Sequence, residues 1–146
     1  MNDHGNWHGV MTDSSTNYIL KLELSSNTLS GTIPTHIGFL TSLNRLDLDS
    51  NALTASVPTQ FNNALTGPIP THIGQLISLT FVLLSFNALS GSVPTQIGHL
   101  TSLTGLSIYN NALTGSLPSE IGQLTSFTKL RFYNNALTGH IPTHIG

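Results

Sequence analysis

Two carboxylates flank a single leucine in Asp47-Leu48-Asp49, and a histidine recurs in the segment Pro-Thr-His-Ile-Gly at His36, His72 and His144. Paired carboxylates can serve acid–base hydrolysis or calcium binding, and grouped imidazoles can hold zinc. Neither pattern is completed. The aspartates have no metal-loop spacing around them, and Gln60, Gln96 and Glu120 fill the histidine slot in the sister segments. His140 and His144 are separated by a proline, so they do not share a helix face. There is no cysteine to act as nucleophile or thiolate ligand, and no Gly-rich phosphate loop, G-x-S-x-G or H-E-x-x-H segment. The expectation is a non-enzymatic chain that needs no metal or other cofactor.

Charge is scarce. Four Lys+Arg against six Asp+Glu give a net charge of -2 over 146 residues, sized for one domain. That balance leaves no electrostatic footprint for nucleic acid or an anionic membrane. No run approaches the roughly 18 apolar residues of a membrane span, and Met1 to Val10 carries no signal-peptide pattern. The compartment is not read from this chain.

The elements that must position these residues follow from repetition. Asn-Ala-Leu-Thr-Gly or a close variant begins at Asn27, Asn51, Asn63, Asn87, Asn111 and Asn135, at spacings of 24, 12, 24, 24 and 24. One unit has the skeleton Leu103, Leu106, Ile108, Asn111, Leu113, Leu117, Ile121, Leu124. Leu106 and Ile108 stand two apart, the period of a short strand with one face buried. The asparagines at the corners (Asn27, Asn51, Asn87, Asn111, Asn135) are expected to form a ladder that satisfies backbone groups at the bend. Gly115 and Pro118 break any helix, and Ile121-Gly122 turns the chain back toward the next strand. Each unit is one coil of a solenoid and buries its leucines only by stacking on its neighbours.

The segment L-T-G-x-I-P-x-x-I-G-x-L-T-S-L resembles the plant-type leucine-rich repeat, the 24-residue class of receptor-like kinase ectodomains and polygalacturonase-inhibiting proteins, over residues 19 to 146. The resemblance implies an α/β-type repeat solenoid: right-handed, with a parallel β-sheet on the concave face and a mostly irregular or 3-10 convex side. Residues 1–18, with Trp7-His8-Gly9-Val10-Met11, look like a remnant of the family's N-terminal cap, Met11 standing where the cap cysteine would be. The 12-residue spacing implies a missing half repeat, hence one irregular 36-residue turn at 43–78 with residues 52–63 looped out and about five strands in all. The array reads as C-terminally truncated, part of a longer receptor-like protein that is extracellular or at the cell surface, with any kinase domain elsewhere.

In such a coil the residues alternating with the strand leucines face the concave side. Of eight charged residues from 19 to 146, seven take those positions: Lys21, Glu23, Arg45, Asp47, Asp49, Lys129 and Arg131. Phe81, Leu83, Phe86, Tyr109 and Tyr133 share that side, and aromatics are the residue types that anchor interfaces. These twelve form the expected partner-binding set. Glu23 beside Asp47 and Lys21 beside Arg45 place like charges on adjacent strands, a cost that diagonal opposite-charge pairs can cancel. The expected partner is a protein or peptide, without nucleic acid and without direct membrane insertion. An inhibitor of a secreted polysaccharide hydrolase is the alternative. Ice binding by convex ranks such as Thr66-Gly67-Pro68, Ser90-Gly91-Ser92 and Thr114-Gly115-Ser116 is a further one.

Overall fold

The computed structural model describes residues 8–51 and 65–142. Strands β1 (Val10–Thr12), β2 (Ile19–Glu23), β3 (Gly31–Thr32), β4 (Arg45–Asp47), β5 (Leu65–Gly67), β6 (Phe81–Leu83), β7 (Ala88–Gly91), β8 (Gly105–Ser107), β9 (Ala112–Ser116), β10 (Lys129–Arg131) and β11 (Ala136–Thr138) belong to two sheets. The first has the order β1-β2-β4-β6-β8-β10. Its five repeat strands are parallel, and β1 joins its edge antiparallel, with Val10 opposite Leu22. The cap segment thus contributes a strand in addition to the five expected. Trp7 of the expected cap segment lies outside the described residues.

Arg45 pairs with Phe81, a step of 36 residues, where Phe81 to Gly105 and Gly105 to Lys129 are steps of 24. The strands before and after the irregular turn are therefore direct neighbours. The excursion expected at 52–63 lies outside the described residues.

One layer of apolar side chains fills the coil interior. Leu43, Leu46, Leu76, Leu79, Val82, Leu84, Leu100, Leu103 and Ile108 are completely buried, each contributing about 1.5–3 kcal/mol relative to exposure. The corner asparagines tie coil to coil. Asn51, Asn87, Asn111 and Asn135 each donate Nδ2 to the carbonyl three residues back and to one in the preceding coil; Asn111, for instance, reaches Ile108 O at 3.1 Å and Leu84 O at 2.9 Å. Three also accept from the preceding coil through Oδ1: Asn51 from Leu29 N, Asn111 from Leu89 N and Asn135 from Leu113 N. At Asn87 the corresponding donor would be Leu65 N, and there the buried Oδ1 has no partner among the described residues.

The expected 3-10 turns are present, and a further sheet accompanies them. The L-T-G-x segments pair into a second sheet, β11-β9-β7-β5-β3. Strands there are short, and the glycines at 67, 91 and 115 adopt φ of +72° to +74°. The third side holds 3-10 turns at Thr35–Phe39, Thr71–Gln75, Thr95–His99 and Ser119–Gln123, each preceded by an extended proline. Successive turns pack so closely that a Cβ on Gly98 would lie 2.8 Å from the backbone oxygen of Glu120. That contact explains the glycine of Pro-Thr-x-Ile-Gly. His36 and His72 project from these turns exposed; His144 lies outside the described residues.

Candidate binding face

Register places the concave side chains in columns. Lys21, Arg45, Phe81, Gly105 and Lys129 form one, and Glu23, Asp47, Leu83, Ser107 and Arg131 the next. The like-charged neighbours are bridged diagonally. Arg45 Nε lies 2.8 Å from Glu23 Oε1, out of line for a hydrogen bond, and Arg45 Nη2 donates to Asp47 Oδ2 at 3.0 Å. The same guanidinium rests over Phe81, 5.5 Å from the ring centroid. Asp47 also accepts from Asp49 N, and Asp49 accepts from Ser85 N. Burial is the main reason that the Asp49 carboxyl lies above its ordinary range; the Ser85 N–H pulls it down and neighbouring Asp47 pushes it up again. Both aspartates are thus committed to fixed partners.

Not every position of the columns is available. Ser85 and Ser107 are buried and share a hydrogen bond at 2.8 Å, so these hydroxyls brace the sheet. Asp47 is likewise nearly covered, and Leu83 is half-buried.

The C-terminal half is arranged otherwise. Gly105 lacks the side chain its column would supply, and Phe81 leans over the gap; a Cβ at 105 would come within 2.7 Å of the Phe81 ring. A depression of about 280 Å³ results, bounded by Phe81, Leu83, Asp49, Tyr109, Lys129 and Arg131. Lys129 and Arg131 are exposed and form no ion pair among the described residues. Beside them runs an aromatic row. Phe86 meets Tyr109 edge-on at 4.9 Å between centroids, and Tyr109 stacks on Tyr133 at 4.6 Å. Burial, more than the neighbouring Tyr133, raises the Tyr109 hydroxyl above its usual range.

The structure therefore brings Arg45, Asp49, Phe81, Leu83, Tyr109, Lys129 and Arg131 around one depression, with Phe86 and Tyr133 at the ends of the adjoining row. Lys21 and Glu23 lie at the other end of the sheet. Gly105 and the backbone of Phe86 were missed by sequence reasoning. A glycine at a strand position is a signal of close approach. The doublets Asn110-Asn111 and Asn134-Asn135 signal a left-handed residue just before each ladder asparagine, a slot that Phe86 occupies with φ +53°.

Residues 18–40 and 102–124 match the family model Leucine Rich Repeat. No curated protein matches the sequence. Among solved structures, a chain of the BIR3–SERK2 complex from Arabidopsis thaliana is 35% identical over 94% of this chain and 68% of that one, with a TM-score of 0.80. The plant peptide hormone receptor RGFR1, in complex with RGF2, is 37% identical over 79% of this chain and 16% of that one, at a TM-score of 0.69. A plant ice-binding protein is 30% identical over 97% of this chain and 50% of that one, at 0.66.

Proposed function

This chain belongs to the plant-type leucine-rich-repeat family, and from that premise we propose that it is a recognition module whose concave face binds a protein or peptide. The observation that carries the reading is the juxtaposition of two exposed cations without ion-pair partners among the described residues, Lys129 and Arg131, with the aromatic row and the depression at Gly105. Aromatics on rigid strands lose little entropy on binding, and free cations attract an oppositely charged partner at long range. Neighbours that are complexes, BIR3–SERK2 and RGFR1 with RGF2, support binding over catalysis. The test uses peptides selected from a random displayed library. Tyr133→Ala with Arg131→Glu is expected to abolish their binding, and a Thr66→Ala, Thr114→Ala variant of the other sheet to retain it. The reverse pattern would move the functional face.

A second reading has its own support. The second sheet presents Thr66, Ser90, Thr114 and Thr138 without a charged residue in its strands, and one neighbour is an ice-binding protein. Thermal hysteresis of the purified chain, lost on Thr114→Ala, is the measurement that would favour ice over a peptide.

A further inference from the structure

Phe86 occupies a backbone conformation that bulky residues avoid. Its φ is +53°, and the same slot in the other coils holds Ser26, Ser50, Asn110 and Asn134 at φ values of +53° to +56°. Asparagine tolerates that region; a large aromatic there is an outlier. The fold has the tolerant solution at hand, since Asn134 Nδ2 donates to Asn110 Oδ1 at 2.7 Å and Phe86→Asn would continue the pair by one rung. Nor does the ring serve the core. It is 43% exposed, and its aromatic contact is the edge-on one with Tyr109.

What the ring does is extend a row. Phe86, Tyr109 and Tyr133 span three successive coils, and Tyr109 and Tyr133 lie face to face, 20° apart, each spending one face on the other. A row of rings on successive coils suits apolar side chains wedged between and against them. The depression and the unpaired Lys129 and Arg131 adjoin the row at Tyr109.

We propose that Phe86 is a partner-binding anchor held against its backbone preference, at the head of an aromatic row that seats the apolar side chains of an extended acidic peptide whose carboxylates meet Lys129 and Arg131. The proposal rests on the concave-face reading above and commits that reading to one class of ligand. Charge complementarity selects it: among the described residues the acidic groups of this face are already paired with Arg45 or bonded to backbone N–H groups, and of the cations left over Lys129 and Arg131 are the ones beside the row, Lys21 lying at the far end of the sheet.

The test takes random dodecamer peptides displayed and selected on the wild-type chain, then synthesised and measured by fluorescence polarisation. The selected sequences are expected to combine Asp or Glu with Leu, Phe or Tyr. Phe86→Asn is expected to weaken them at least about tenfold while Tm stays level or rises by up to about 3 °C; Phe86→Tyr keeps the affinity. A fall in Tm with Phe86→Asn would show that the ring is there for packing and overturn the proposal. So would unchanged affinity in Phe86→Asn where Tyr133→Ala and Arg131→Glu abolish binding, an outcome that leaves the concave-face reading standing. Enrichment of basic peptides overturns the acidic ligand, and peptides indifferent to every concave substitution overturn both.

Discussion

The two ends of the concave sheet handle charge in opposite ways. At β2 and β4, Arg45 holds Glu23 and Asp47 and leans on Phe81, so the charges close on one another. At β8 and β10 the glycine opens the surface and Lys129 and Arg131 point outward unpaired. A charge that has found its partner within the sheet contributes to stability, and one that has not is available to a ligand. The first end holds the coils together; the second is the one proposed to draw a partner of opposite charge.

Removing Arg45 should break this contrast most deeply. Arg45→Ala leaves Asp47 almost covered and without its counter-ion. The expected loss is about 2 kcal/mol of unfolding free energy, between the values for exposed and buried pairs; urea denaturation measures it. Reversal of Lys129 and Arg131 to Glu should do the converse. Stability is expected to change by less than about 0.5 kcal/mol, while association of an acidic ligand slows about tenfold, an effect that stopped-flow measurements should find diminished at high salt.

Gly105→Ala tests the depression itself. The added methyl meets the Phe81 ring, so a cost of about 1 kcal/mol is expected, and the filled depression should show as faster ligand dissociation. The smallest effect belongs to Asp49. Its folded carboxyl binds a proton more tightly than the unfolded one, whose value is 3.8, so its contribution to stability falls as pH rises through the range between the unfolded and the raised folded values. Asp49→Asn keeps an acceptor for Ser85 N and removes the charge. It should flatten that slope and add less than about 1 kcal/mol at pH 7, because the group is only half covered.

The coil, its strands and its inward leucines were legible because a repeat states the same physical requirement several times. Leu46, Val82, Leu106 and Leu130 stand in register at the positions the apolar spacing marks. The second sheet was not legible. Its Thr-Gly-x segments lack apolar alternation, and glycine is a poor strand former, so pairing there comes from stacking already fixed on the concave side. Availability of individual concave residues was also hidden. That Ser85 and Ser107 bond each other, and that Arg45 bridges Glu23 to Asp47, depends on diagonal distances across strands that linear spacing does not carry.

Backbone pairing on two sides of each coil has a consequence for shape. Parallel strands keep neighbours about 4.8 Å apart wherever they pair, and here they pair both on the concave side and on a second side of the coil. A stack with equal pitch on two faces gains almost no curvature between them; what the strands' own handedness leaves it is twist. An array built from this coil would advance as a slowly turning column, and a ligand lying along it would meet the Phe86 row and the Lys129 strand at progressively rotated angles.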